Sequence, residues 1–322
     1  MRAREPDGSG YVENAGARIY YEVFGSGPKT LLFLPTWSLV HSRVWKLQVP
    51  YFARHYRVIA FDGRGNGKSS RPSGAEAYSA QNFVDDALAV MDATVTARAT
   101  VAGYSMGGLH LAMLAANHAS RVAGAVFIGP VAPFGAKGRP ERTAFSWSEP
   151  LPTSEGWAKH NKHYWKRAYD DWLAFFAGKV LTEPHSTKGI EDVIGWGNET
   201  NADVLIATYE APESPGEPPS DLAQAAQYYA RIACPVLVIH GSDDEVIAHS
   251  AGAGVAKATG GTLVTIAGGG HAPHLRHPVK VNILLRRFMD DVAATADRAA
   301  RSWRTSQSTP RGLRAEHTHT LR

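Results

Sequence analysis

The chain has one cysteine, Cys234, among its 322 residues, so no internal disulfide can brace it and stability must come from a packed core. Cys234 precedes Pro235 at the start of an apolar run, which reads as a small core residue rather than a reactive thiol. Long apolar runs are also missing: nothing approaches the roughly 18 residues of a membrane helix. The first ten residues lack the apolar core of a signal peptide. These absences lead us to expect a cytoplasmic protein with no membrane partner. Strong charge is missing from the body as well. Residues 297–322 hold six arginines (298, 301, 304, 311, 314 and 322) against Asp297 and Glu316, which accounts for the whole net charge of +4. A neutral body with a basic tail gives no footprint for a nucleic-acid partner. The tail, 296–322, is polar, has Trp303 as its one aromatic, and reads as disordered.

What the chain does have is an α/β rhythm. Tyr11–Glu13 and Ala17–Phe24 read as a hairpin around Asn14-Ala15-Gly16. Thr30–Leu34, Arg57–Phe61, Thr100–Ala102, Val122–Ile128, Pro235–His240 and Thr262–Ile266 are short apolar runs bounded by turn residues, the pattern of strands buried on both faces. Helical stretches fall between them, from about Val44 to Arg54, from a cap at Ser79 through Met91, and after Gly107. Alternation at this spacing predicts a mainly parallel, doubly wound sheet with a site at the carboxyl ends of its strands. A single α/β domain with one insertion suits the length.

The rhythm breaks between 133 and 229. Five of the eight tryptophans (147, 157, 165, 172 and 196) fall there, and no strand-like run interrupts them. Trp157, Asn161, Trp165, Tyr169, Trp172 and Phe176 recur at three to four residues, which predicts one helix from about Glu155 to Phe176. Its aromatic face either packs the insertion onto the main domain or lines a substrate pocket, with Trp165 and Trp172 as candidate wall residues. A proline-rich connector, Ala211–Pro219, leads back to the sheet. The expected organisation is a core of 11–132 and 230–295, a helical lid of 133–229, and the tail.

Chemistry concentrates in Gly103-Tyr104-Ser105-Met106-Gly107, between a buried strand and a helix. To aim the serine away from both elements the chain must turn so sharply that side chains two positions either side would collide, hence the two glycines. Ser105 is therefore expected on a strained elbow, with the helix dipole pointing at it. Serine needs a base to take its proton, and the base needs a carboxylate to set its tautomer. Asp244 and His271 follow later strands in the required chain order, with Asp243 as the neighbouring alternative to Asp244. His274 and His277 read as surface or helix-start residues. No accompanying glutamate motif supports a metal site with His271, and none is expected. The backbone N–H groups of Met106 and Trp37 are the expected oxyanion donors. Asp62–Ser69 is Gly-rich, but its spacing is not that of a phosphate loop, and Ser70-Arg71-Pro72 cannot open a helix cleanly.

Together, Gly103–Gly108, Asp62–Ser69, Gly241–Asp244 and Gly270-His271 resemble the α/β-hydrolase family over roughly residues 11–292. The resemblance implies a mainly parallel eight-stranded sheet, a lid after strand six and a cofactor-free acyl-enzyme mechanism. Its Gly-x-x-Asp spacing favours Asp244 as the acid. Two positions depart from it: Pro35-Thr36 stands where relatives usually carry His-Gly, making Thr36 a candidate hydroxyl donor, and Ala248 replaces a common proline. Serine at the elbow points away from the family's dehalogenases and epoxide hydrolases. Carboxylic ester or lactone hydrolysis on a small molecule with an apolar or aromatic part is the leading expectation, with Thr36, Tyr104, Trp165 and Trp172 as substrate-binding residues. Carbon-carbon hydrolysis of a diketone-like substrate, a cofactor-free lyase and a ligand receptor are the alternatives.

Overall fold

The computed structural model describes residues 3–134, 141, 144–212 and 222–307. Its centre is an eight-stranded sheet in the order β1-β2-β4-β3-β5-β6-β7-β8. The strands are β1 (Gly8–Asn14), β2 (Ala17–Phe24), β3 (Thr30–Phe33), β4 (Arg57–Phe61), β5 (Ala99–Tyr104), β6 (Val122–Ile128), β7 (Val236–Gly241) and β8 (Thr262–Ile266). β2 runs antiparallel to β1 and β4, while β3 to β8 are mutually parallel. Every residue of β5 and β7 is buried, whereas the edge strands β1 and β8 both carry exposed positions. The hairpin turns through Ala15 (φ 45°) and Gly16 (φ 72°), matching the twist of its strands.

Alternate strand residues feed two cores. Leu31 and Phe33 enter one, and Leu32 and Leu34 enter the other. The second core packs α2 (Ala80–Ala93) and α3 (Met106–Asn117) on the sheet, with Val84 and Leu111 fully buried. Ser79 caps α2 by accepting from the Asn82 N–H. The first core continues from the sheet into the insertion without a break, joining Phe33, Trp45 and Ile128 to Trp165, Trp172 and Phe176.

Several expectations need correction. The helix expected over 44–54 is a 3-10 turn, Ser42–Trp45, followed by the single-turn α1 (Val49–Phe52), because Pro50 allows a helix only at its start. The helix expected over 155–176 is three pieces: a 3-10 turn at Gly156–Lys159, α4 (Lys162–Arg167) and α5 (Tyr169–Val180). Asn161 breaks the first junction by accepting from the N–H groups of His163 and Tyr164 as a cap, and Ala168 breaks the second at φ −147°, ψ 51°. The insertion continues with α6 (Lys188–Gly197) and α7 (Ala202–Tyr209).

From residue 213 the proline-rich connector lies outside the described residues. The next helix, α8 (Leu222–Ala230), expected within the 133–229 insertion, packs instead on α3, and the Tyr229 ring lies against Phe127 and Phe134. After β7 come α9 (His249–Thr259), the short α10 (Pro273–Arg276) and α11 (Pro278–Gln307). The tail expected to be disordered is thus helical over 296–307, where alanines give high helix propensity. Residues 308–322 lie outside the described residues. No helix among the described residues is long and apolar enough to cross a membrane.

Candidate active site

β5 delivers Ser105 directly into the start of α3, with Ser105 at φ 53°, ψ −118°. Three hydrogen bonds hold that strained residue: its N–H donates to Ile128 O (3.0 Å), and its carbonyl accepts from Gly108 (2.9 Å) and Val131 (3.0 Å). The flanking glycines are sterically required. A Cβ on Gly103 would stand 2.2 Å from Gly107 O, and one on Gly107 would stand 2.7 Å from Pro35 O.

β7 and β8 supply the partners. His271 Nε2 lies 3.0 Å from Ser105 Oγ, and His271 Nδ1 lies 2.8 Å from Asp244 Oδ2. Asp244 Oδ1 accepts from the N–H groups of Val246 and Ile247, each at 2.8 Å. Burial opposes ionisation of Asp244. The charge of His271 and hydrogen bonds from His240 and His271 outweigh it and hold the carboxyl well below the usual carboxylate range. The neighbouring Asp243 is exposed and accepts from Ser242 Oγ instead, so geometry separates the two acids. This order sets the tautomer: Nδ1–H donates to Asp244 and the Nε2 lone pair faces the serine hydroxyl.

The insertion grips the histidine loop from the other side. Gly270 donates to Glu183 Oε1 at 2.8 Å, and the His271 N–H donates to Val180 O at 3.2 Å. Pro35 O packs on Gly107, which brings the loop carrying Trp37 beside the start of α3. Among the described residues neither the Met106 nor the Trp37 N–H has a hydrogen-bond partner. The Trp37 indole is anchored through Nε1–H to Thr208 Oγ1 at 2.7 Å. Thr36 is buried with its hydroxyl unpartnered among the described residues.

Three candidate substrate residues sit elsewhere than expected. Trp165 and Trp172 each have 0% exposure and pack on one another with tilted rings 4.2 Å apart, so these two indoles are packing and show no surface to a ligand. Tyr104 is buried behind His271, with the two rings 5.1 Å apart, because neighbouring strand residues point to opposite faces. His274 is not a surface residue: it is fully buried between Trp45 and Tyr104, and burial, with the nearby His271 charge, holds it down to about 3. Among the described residues no cluster of side chains is arranged to hold a metal ion.

His240 was missed by sequence reasoning. It is the penultimate residue of β7, is fully buried, and its Nε2 lies 3.0 Å from the same Asp244 oxygen that binds His271. The available signal was a histidine four residues before the acid. The Gly-rich turn Asp62–Ser69 is structural: Asp62 accepts from the N–H groups of Ser42 and Lys68, and Arg64 pairs with Asp86 with both side chains fully buried.

Residues 29–278 match the family described as alpha/beta hydrolase fold. A non-heme haloperoxidase from Rhodococcus erythropolis is 37% identical over 120 residues, which span 37% of this chain and 42% of that protein. A non-heme chloroperoxidase from Burkholderia pyrrocinia is 28% identical over 267 residues, covering 79% of this chain and 89% of that one. Among solved structures, an esterase from Rhodococcus sp. ECU1013 superposes with a TM-score of 0.70 at 26% identity, covering 88% of this chain and 98% of that one. The strand order, the elbow between β5 and α3 and the matched span agree: the chain belongs to the alpha/beta hydrolase fold family.

Proposed function

We propose that this protein is a serine hydrolase that cleaves carboxylic esters or lactones through an acyl-enzyme. The observation that carries the reading is the continuous relay from Ser105 Oγ through His271 to Asp244, beside two backbone N–H groups without partners among the described residues. His271 takes the Ser105 proton as Oγ attacks the carbonyl carbon, and Asp244 stabilises the imidazolium that forms. The developing oxyanion is received by the N–H groups of Met106 and Trp37, each of the kind worth about 3 kcal/mol when removed. Imidazolium then protonates the leaving alkoxide, and the same base activates water to release the acid and restore Ser105. None of these steps needs a cofactor.

Half-buried Trp37, on the loop packed against Gly107, and Val131, whose N–H donates to Ser105 O, favour a small substrate with an apolar or aromatic part. The similarity to an esterase supports the same bond class. Intact-mass analysis after fluorophosphonate treatment tests the proposal, followed by a screen of esters and lactones. We expect one adduct on the parent and none on Ser105→Ala. An unmodified parent, or an adduct that persists in the variant, would overturn it.

A further inference from the structure

His240 is the buried titratable group nearest the relay that the reaction above leaves without a role. Its Nε2 faces two acceptors, Asp244 Oδ2 at 3.0 Å and Ile247 O at 3.3 Å, so that nitrogen carries the proton. Its Nδ1 is buried without a hydrogen-bond partner among the described residues. A proton there would be stranded, so the ring donates through Nε2–H. The socket is built for it. Gly252 lies in the interior of α9, where glycine is less favourable than alanine. A Cβ at that position would stand 2.4 Å from His240 Nδ1.

Asp244 Oδ2 therefore serves two imidazoles at once, His271 at 2.8 Å and His240 at 3.0 Å, while Oδ1 is held by two backbone N–H groups. We propose that His240 is a positioning residue for the base: its Nε2–H fixes the shared Asp244 oxygen and takes up part of the charge that oxygen would otherwise direct at His271. This deepens the hydrolase reading and rests on it. Removing the donor leaves Oδ2 more basic, which strengthens its hold on protonated His271. The base then protonates at higher pH, and the acid limb of activity moves up. The other groups around this trio are Tyr104 from β5, His249 from α9, Glu183 from the insertion, His274 from α10, and Asp243 and Glu245 on the acid's own loop. His240 is unlike these in donating to the Asp244 oxygen that holds His271.

The test is the pH dependence of the fluorophosphonate inactivation rate at Ser105 in the parent, His240→Leu and His240→Gln. We expect the acid limb of His240→Leu to rise by about one pH unit, which lowers the rate below the limb about tenfold. His240→Gln keeps an N–H donor and should hold the parental limb. A folded His240→Leu with the parental limb, or a glutamine variant that shifts as far as leucine, overturns the inference. Nitrogen-15 histidine NMR of the unmodified protein gives a second measurement that needs neither turnover nor a variant. His240 should be the Nε2–H tautomer at neutral pH, and an Nδ1–H tautomer overturns the inference. An unlabelled Ser105 in the parent would instead count against the hydrolase reading, leaving the tautomer result to stand on its own.

Discussion

His110 and His274 are buried bases that no acid satisfies among the described residues. His110 stacks flat on Phe83 at 4.6 Å and has neither ring nitrogen hydrogen-bonded there, and burial holds it down to about 3. His274 is held equally low, by burial first and then by the His271 charge. Both titrate near 6.5 once unfolded, so between 6.5 and 3 the unfolded chain binds more protons than the folded one. Their contribution to stability is whole above 6.5 and is lost as pH falls towards 3. Urea midpoints at pH 7 and pH 4.5 should differ less in His110→Leu than in the parent; an equal difference would show that His110 protonates freely in the fold. At the elbow, Gly103→Ala should abolish fluorophosphonate labelling, because its methyl would stand 2.2 Å from Gly107 O and force the turn open. Parental labelling of that variant would contradict the steric account.

At the scale of elements, the insertion is held by its aromatic stripe even though the helix carrying it is broken. Trp157, Asn161, Trp165, Trp172 and Phe176 all face inward across the 3-10 turn, α4 and α5. Three- to four-residue spacing fixes which side is buried, and it survives a break as long as the pieces turn together. Asn161 is the polar hinge of that arrangement: besides capping α4, its Nδ2 group donates to the carbonyls of Ser146, Trp147 and Glu149. Replacing it with alanine would remove both the α4 cap and the donor to those three carbonyls and should cost about 2 kcal/mol, read as a lower urea midpoint. Trp165→Ala should cost about 3–5 kcal/mol through the cavity it opens. An ester chain-length profile should shift little in that variant once folded fraction is accounted for, because its indole shows no surface to the site. A large shift would restore Trp165 as a pocket wall.

For the whole molecule, the consequence is cooperativity. The core on one face of the sheet runs unbroken into the insertion through Trp37, whose ring lies 5.6–5.8 Å from Trp165, Trp172 and Phe176. Glu183 and Val180 join the insertion to the histidine loop. A segment without its own core cannot melt first, so calorimetry should show a single transition that Trp165→Ala lowers as a unit. Two resolved transitions would mean that the insertion folds by itself.

The strands, the elbow and the serine-acid-base order were legible because each is local: short apolar runs between turn residues, a glycine pair around a turn, and polar residues at strand ends all leave marks within a few positions. The choice of Asp244 over Asp243 leaned on a four-residue spacing, and in space it is Asp244 that turns inward to His271 while Asp243 bonds Ser242. What the sequence could not carry was depth. Tyr104, Trp165 and Trp172 carry the same residue types whether they line a pocket or pack behind it, and His274 the same whether at the surface or inside; packing from distant segments buries all four. His240 escaped for the same reason, since a histidine at a strand end becomes a second donor only when the chain folds Asp244 back over it. The sequence by itself determined the sheet, the elbow and the residue types of the relay, because these follow from neighbours along the chain. The tertiary structure alone decided which of the surrounding side chains touch the site, because burial and hydrogen-bond partnership depend on residues far away in sequence.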